Sequence, residues 1–328
     1  MNKSQPLVSV VIPVYNVEKY IAAAIDSVLA QEHKNFELIL VNDASPDSSI
    51  DIAKSYTDPR IKIISQLNRG LAGARNTGIN AAIGKYVALL DADDLWHPEK
   101  LSQHVQHLES DSTVDISYCP SIFIDQAGQK LSIGQYPKLT NITSNEVLCR
   151  NPVGNGSAAV IRMSMLDKIR ISQQKKDYQR TLYFDERLRQ SEDIEFWLRC
   201  SLSFDAKFEG IETPLTYYRL NQQGLSANLE QQLESWYRAI FYNEEKYKKF
   251  LSKYYVTAKA YQFRYLARRA IHCNMPVEAL KYSKKALSTD IKILFQEPRR
   301  TVSTYLCSVL LFHFTKPFSW LTKQYLGS

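Results

Sequence analysis

The chain has 328 residues, 45% hydrophobic and 23% charged, with 11 Gly, 12 Pro and 5 Cys, a balance that excludes collagen-like, disordered and disulfide-stapled classes. Its formal charge of +7 is unevenly spread: residues 1–229 hold 24 Lys and Arg against 27 Asp and Glu, whereas residues 230–328 hold 17 against 7. The length predicts two domains, or one large α/β domain with an appendage, and the basic part is suited to an anionic partner such as a lipid surface or a nucleic acid.

At the N-terminus, Leu7 to Val14 is too short for a signal h-region and is broken by Pro13, so an unprocessed start is expected. Val8–Ile12 reads as a buried first strand. Asn16 then reads as the N-cap of a helix with Tyr20, Ile21, Ala24, Ile25, Val28 and Leu29 inside. Phe36–Val41 gives a second strand, 42–47 a turn cluster, Ile50–Tyr56 a short helix and Ile61–Ser65 a third strand. Leu71–Ala82 reads as an Ala-rich helix, Tyr86–Leu90 as a fourth strand, and Glu99–Leu108 as a helix with Pro98 at its first position. Alternation of this kind builds βαβ units and a mostly parallel sheet, whose ligands bind beyond the carboxyl ends of the strands. Asp43 and the cluster Asp91-Ala92-Asp93-Asp94 both fall there.

From 115 to 220 the signals shorten. Asp115–Cys119, Ser121–Asp125, Ala158–Ile161 and Thr213–Arg219 are strand-like, and Ile194–Cys200 is helical. The triplets Asn141-Ile142-Thr143 and Asn155-Gly156-Ser157 fit the glycosylation pattern by chance. The five cysteines are odd in number, scattered and without a C-x-x-C pair, which points to a reducing compartment. Beyond 230, Leu233–Leu251, Val256–Cys273 and Val277–Leu287 read as helices. In that stretch Ala260, Tyr261, Ala267, Ala270, Ala279, Tyr282 and Ala286 resemble one tetratricopeptide-like helix pair. The last segment, Val302–Leu326, carries an apolar run flanked by Arg299, Arg300, Lys316 and Lys323; it is too short to span a bilayer and reads equally as an interfacial helix or as one packed on its own domain.

Three carboxylates within four residues repel one another when buried together and call for a cation or solvent, and a hard divalent ion with oxygen ligands suits them. Taken from the residues alone, Asp43 also reads as a helix cap, Asn68 and Gly70 as turn residues, Arg75 as one half of an ion pair and Tyr15 as core. Glu192-Asp193 likewise reads as an ordinary helix start.

Four elements occur in order: Val10-Val11-Ile12-Pro13-Val14-Tyr15-Asn16, Val41-Asn42-Asp43-Ala44-Ser45, Asn68-Arg69-Gly70 through Asn76-Thr77-Gly78, and Leu90-Asp91-Ala92-Asp93-Asp94. Together they resemble the nucleotide-sugar-binding half of inverting family-two glycosyltransferases with the GT-A fold. The resemblance runs from Val8 to about Leu108. It resumes at Asn155–Ala159, Glu192–Arg199 and Tyr217–Arg219, and ends near 229.

The resemblance implies an α/β GT-A mixed sheet flanked by helices over 1–229 and an all-α basic extension over 230–328. It implies that Pro13 and Tyr15 line a uridine-type pocket, Asp43 accepts from the base, Asn68 belongs to the nucleotide site, Arg75 faces the nucleotide and its phosphates, and Asp91 the ribose. Asp93 would be the main protein ligand of Mn²⁺ or Mg²⁺, supported by Asp94, while His97 reads as a loop residue. Asp193 would be the base that deprotonates the acceptor hydroxyl, with Glu192 tuning it, and Asn155, Gly156, Trp197 and Arg219 would touch acceptor or donor sugar. No Gln-x-x-Arg-Trp follows the base, which in this family implies transfer of a single sugar.

The activity so implied is an inverting, nonprocessive transfer from a nucleotide-diphospho-sugar, a UDP-sugar first of all, to a glycan or lipid-linked acceptor. Bacterial surface polysaccharide or lipopolysaccharide synthesis is the expected setting, in the cytoplasm or peripherally at the inner face of the membrane. A sugar-1-phosphate nucleotidyltransferase would show a Gly-rich loop where Pro13-Val14-Tyr15-Asn16 stands. A noncatalytic nucleic-acid-binding scaffold would use the basic tail, but the tail aromatics sit at helical spacing, so nucleic acid is not the expected partner.

Overall fold

The structure, a computed structural model, describes residues 5–174, 179–220, 228–242 and 244–314. The chain runs β1 (Val8–Val14), α1 (Ile21–Leu29), β2 (Phe36–Asn42), α2 (Ser49–Lys54), β3 (Ile61–Ser65), α3 (Gly70–Ala81), β4 (Tyr86–Leu89), β5 (Leu95–Trp96) and α4 (Lys100–Ser110). Next come β6 (Ile116–Tyr118), β7 (Ser121–Ile124), β8 (Lys130–Gln135), α5 (Ser144–Arg150), a 3₁₀ turn at Gly156–Ala158, β9 (Ala159–Arg162), α6 (Met163–Ile169), β10 (Ile171–Gln174) and β11 (Gln179–Leu182). It continues through α7 (Glu192–Phe204), β12 (Phe208–Gly210), β13 (Thr216–Arg219), α8 (Leu229–Phe241), α9 (Glu244–His272), α10 (Pro276–Thr289), α11 (Lys292–Gln296) and α12 (Pro298–His313).

A seven-stranded sheet in the order β12-β6-β9-β4-β1-β2-β3 forms the centre. β1 pairs in parallel with β2 and β4, and β2 with β3, while β9 runs antiparallel to β4 and β6. Both faces are covered, which is why these strands read as continuous apolar runs. Val10, Ile12, Val14, Leu38 and Leu40 meet α1 and α4 on one face. Val11, Ile39, Val41 and Leu89 meet α3, α5, α6 and α7 on the other. Pro13 is tolerated in a central strand because pairing with β4 stops at Val11 opposite Leu89. A second sheet, β5-β13-β7-β8, brings Arg219 of β13 toward the turn after β4.

The mixed sheet with an all-helical C-terminal part is the GT-A arrangement expected from the sequence. Two local readings are corrected. Asn16 caps no helix: it turns the chain at φ 56°, donates its N–H to Ser45 Oγ at 2.8 Å, and α1 starts five residues later. The stretch 233–251 is two helices rather than one, with α9 running on through the next predicted helix and kinked at Tyr247.

Trp236, Ile240, Tyr247, Leu251 and Ala258 of α8 and α9 pack into the core that α5 and α7 share. The rest of α9 with α10, α11 and α12 encloses a further core in which all seven residues of the tetratricopeptide-like pattern are buried. Among the described residues no helix is long and apolar enough to cross a membrane. Lys316, Pro317, Trp320, Lys323 and Tyr325 lie outside the described residues.

Candidate active site

Three parallel strands deliver the first residues. Beyond β1, Tyr15 is half exposed, and beyond β2 the buried Asp43 donates its N–H to the Val14 carbonyl. The Asp43 carboxylate does not cap the helix after its own turn. It reaches the start of α3, accepting from the amides of Arg69 and Gly70 at 2.8 Å each and from Gln66 Nε2 at 2.6 Å. A carboxylate at a helix N-terminus is favourable, and acceptor capacity remains on Oδ2 for a ligand. Burial raises its pKa, against the hydrogen bonds from Gln66 and Gly70. Asn68 donates to the Asp43 carbonyl at 3.0 Å, closing the loop.

α3 lies close against the sheet because Gly78 has no Cβ; one built there would stand 2.2 Å from Val11 Cγ1. A turn earlier on that helix, Arg75 is buried and forks between two carboxylates, donating to Asp91 Oδ1 at 2.7 Å and to Glu192 Oε1 at 2.8 Å. Burial works against its charge, but Asp91, Glu192 and Asp193 more than offset that and hold the guanidinium firmly protonated. Glu192 is pushed up to about 7, by burial first and by Asp193, with Arg75 opposing. Asp193, half buried in the first turn of α7, is raised by burial and lowered by Arg75, by the Ile194 amide and by Asn151, whose Nδ2 donates to Oδ2 at 3.0 Å.

The fork fits because residue 156 is glycine: a Cβ there would come within 2.4 Å of an Arg75 terminal nitrogen and 3.4 Å of Asp91 Oδ2. Since two carboxylates pin the guanidinium, it has little room to yield. Gly156→Ala is expected to lower transfer at least tenfold, about 1.4 kcal/mol or more in the barrier, and to lower the melting temperature as well, because the buried fork is forced apart. Comparison of kcat/KM with a thermal scan checks this, and wild-type turnover in the variant would remove the steric claim.

The other carboxylates of the cluster divide into held and free. Asp94 is buried and fully engaged, accepting from Ser157 Oγ at 2.6 Å and from the Arg219 amide at 2.8 Å. Burial lifts it well above the usual carboxylate range, and Asp93 and Asp91 add to this. Ser157 also accepts the Asp91 N–H, so one hydroxyl ties the Asp94 carboxylate and the Asp91 backbone to the turn before β9. Asp93 is pushed up to about 6, by burial and then by Asp91.

Among the described residues no group of three His, Cys, Asp or Glu converges on one point. A metal held here would therefore take no more than one or two carboxylate ligands from these residues. That fits an ion such as Mn²⁺ or Mg²⁺ that completes its shell with water and substrate phosphate oxygens.

The sequence-derived residues thus divide. Asp91, Glu192, Asp193 and Gly156 gather around Arg75, with Asp93 next to Asp91, whereas Asp43 and Asn68 meet at the start of α3 and Tyr15 lies beyond β1. Arg219 is a clamp inside the protein: its guanidinium donates to the carbonyls of Asp93, Asp125 and Gln126 at 2.7 to 2.9 Å and lies over the Tyr20 ring. Asn155 is buried, bonded to Ser121 and Gln135 through Nδ2, with Oδ1 unpartnered. Trp197 is corrected from sugar contact to core: it is 1% exposed, edge-on to Phe196 and Phe208. His97 is a loop residue whose Nδ1 accepts the Glu99 N–H at 3.3 Å.

Several contributors were given no role of their own in the sequence. Asn151 orients Asp193 from a left-handed position (φ 38°) after α5. Asn76, fully buried, accepts from the amides of Tyr183 and Phe184 and so fixes the approach to α7. Tyr218 stands among Asp94, Asp93 and Asp91, its phenol raised by burial and by their charge. Lys100, wholly buried, braces the turn at 156–158 through the Ala158 carbonyl at 3.1 Å and Thr216 at 3.1 Å; burial lowers its pKa. A tilt of a Lys stem into the core at the start of an amphipathic helix is the only signal the sequence offers for it.

Comparison with known proteins identifies the family. Residues 9–170 match the family described as Glycosyl transferase family 2. An uncharacterized glycosyltransferase of Methanocaldococcus jannaschii is 32% identical over 240 residues, 71% of this chain and 78% of its own length. Another, of Rickettsia prowazekii, is 33% identical over 213 residues, 60% of this chain and 59% of its own. EpsJ of Bacillus subtilis is 53% identical over 91 residues, 27% and 26% of the two chains, so the match spans less than two thirds of these last two relatives.

Among solved structures, the S. aureus TarS fragment 1–349 in complex with UDP-GlcNAc has TM-score 0.55 at 17% identity, covering 93% of this chain and 81% of that one. The mannosyltransferase PcManGT of Pyrobaculum calidifontis, in complex with GDP-Man and Mn²⁺, has TM-score 0.55 at 18% identity, covering 95% and 88%. At these identities the two structures speak for the fold.

Proposed function

This chain belongs to glycosyl transferase family 2 and is a glycosyltransferase, and from that footing we propose that it moves one sugar, with inversion, from a nucleotide-diphospho-sugar to a glycan or lipid-linked acceptor. A UDP-sugar is the donor we favour. We place the reaction at the cytoplasmic face, in bacterial surface polysaccharide or lipopolysaccharide synthesis. Residues 1–229 carry the chemistry in this reading and 230–328 form the basic helical extension. The unpaired cysteines suit a reducing compartment.

One observation carries the proposal: Arg75 bridges Asp91, at the end of the donor-side strand, and Glu192, beside Asp193, with bonds of 2.7 and 2.8 Å. The two halves of the chemistry therefore share one wall. Pro13, Tyr15, Asp43 and Asn68 line the end where the base sits, and Asp91 meets the ribose. Asp193 takes the proton from the acceptor hydroxyl as that oxygen attacks the anomeric carbon opposite the departing nucleoside diphosphate. Glu192 neutralises the far side of Arg75, and Asn151 holds Asp193 in orientation.

Asp93 would hold the divalent ion, with Asp94 fixing the turn beneath it; when bound, the ion supplies Lewis-acid stabilisation of the diphosphate leaving group. Asp93→Ala is expected to abolish the increase in donor affinity that Mn²⁺ or Mg²⁺ gives, measured by calorimetry with and without each metal. An unchanged metal-dependent affinity would remove Asp93 from that role. The proposal as a whole is tested by screening nucleotide sugars for released nucleoside diphosphate. Steep salt-dependent nucleic-acid binding, with no turnover of any donor, would overturn it.

A further inference from the structure

We infer that the outward face of α12 docks on an anionic lipid surface, an inference that rests on the reading of a membrane-proximal acceptor and names the element that makes the contact. α12 is built inside out. Its inward face, against α10 and α9, carries three hydroxyls and one apolar side chain: Thr301 is 3% and Leu311 2% exposed, and Thr304 and Ser308 are wholly buried. The hydroxyls are satisfied within the protein, Thr304 and Ser308 by bonds to carbonyls four residues back at 2.6 and 2.8 Å, and Thr301 by the Ile293 carbonyl at 2.9 Å.

The opposite face is apolar. Val302, Leu306 and Leu310, spaced four residues apart, are 43%, 52% and 37% exposed. Half-buried Tyr305 and Val309 fall on the same side by the 3.6-residue period. A helix folded only for its own domain would reverse this order, since turning those side chains inward would remove more apolar surface from water.

Charge selects the occupant. α12 has Arg299 and Arg300 in its first turn and no Asp or Glu along its length. The carboxylate just before it, Glu297, is already paired with Arg150 and Arg264 inside the protein. A second copy seated symmetrically on this face would bring the two arginine pairs into one interface with no α12 carboxylate to answer them, whereas an anionic headgroup layer answers them directly. At 16 residues the helix is about 24 Å long, suited to lying in the headgroup plane rather than crossing it.

The test is flotation of the full chain with phosphatidylcholine vesicles, with and without phosphatidylglycerol. Wild type is expected to float with the anionic vesicles and to be released by salt. Leu306→Ser with Leu310→Ser, and separately Arg299→Gln with Arg300→Gln, should each lower partitioning roughly tenfold or more. Donor-nucleotide binding should stay at the wild-type value and melting temperature should change little, since Leu306, Leu310 and Arg299 are exposed and the half-buried Arg300 faces the like charge of Arg268.

Equal partitioning of wild type and variants overturns the inference, as does equal binding to neutral vesicles. Loss of a concentration-dependent dimer in the Leu variant, with no vesicle binding by wild type, would assign the face to a second copy. Vesicle binding that follows these substitutions, in a protein that turns over no nucleotide sugar, would sink the catalytic reading and leave the docking face standing.

Discussion

Asp193→Asn is expected to slow sugar transfer by about 10²- to 10⁴-fold, the usual worth of a positioned general base, while donor-nucleotide affinity stays at the wild-type value. The substitution keeps size and shape, so Asn151 retains a partner, and the fork of Arg75 to Asp91 and Glu192 is untouched. What is removed is proton acceptance, together with one negative charge near Arg75 and Glu192. Burial holds the Asp193 carboxyl above its ordinary range, against Arg75, the Ile194 amide and Asn151. A raised carboxyl is a stronger base once ionised, and it must lose its proton before it can act. The acid limb of the wild-type pH–rate profile should therefore lie above the ordinary Asp value of about 3.9, rising with pH as the base ionises, and that limb should be missing from the variant's remaining activity. Turnover of Asp193→Asn equal to wild type would take the residue out of the base role.

Much of the donor half was legible because its signals are local. A parallel strand covered on both faces must be apolar throughout, so 8–12, 36–41, 61–65 and 86–90 stand out, and Asp43 and Asp91 follow as strand-end residues. The middle of the chain was harder. β8, β10, β11 and β12 are three to six residues long and make no period. α5 was not read from the sequence, although Thr143 and Glu146 form a capping box that overlaps the glycosylation-like triplet at 141–143.

The resemblance made Trp197 a sugar contact, whereas at that point on α7 the helix has already turned its side chain to the core. Asn76, Asn151 and Lys100 were invisible for a different reason. Each acts on a partner tens of residues away, such as Asn151 on Asp193 across 42 positions and Lys100 on Ala158 across 58. No local pattern marks a side chain whose role is set by a long-range contact. The inversion of α12 also required coordinates, since its alternation of hydroxyl and apolar residues gives the period but not which face is inside.

Arg75→Met should be the most damaging single change, costing about 3–5 kcal/mol of stability as well as transfer, because removing one partner from a buried ionic group leaves the others uncompensated. Arg75 is 2% exposed and is the cation that answers Asp91 and Glu192 directly, with Asp193 close enough to feel its charge. Without it the carboxyls respond by holding protons. Their folded pKa values move further above the unfolded ones, so the folded state binds more protons than the unfolded state, and stability is present at low pH and lost as pH rises through the folded values.

Wild-type Glu192, already near 7 by burial with Arg75 opposing the rise, sets the direction of that response. The stability deficit of Arg75→Met should accordingly be larger near pH 8 than near pH 5, read from denaturant midpoints at the two pH values. Arg75→Lys separates charge from geometry. Its ammonium restores part of the stability, but a single point charge cannot reproduce the planar fork that meets Asp91 and Glu192 at once, so transfer stays low. A flat pH dependence in Arg75→Met, or full activity in Arg75→Lys, would show that the carboxylates on the two sides of the site do not depend on one shared cation.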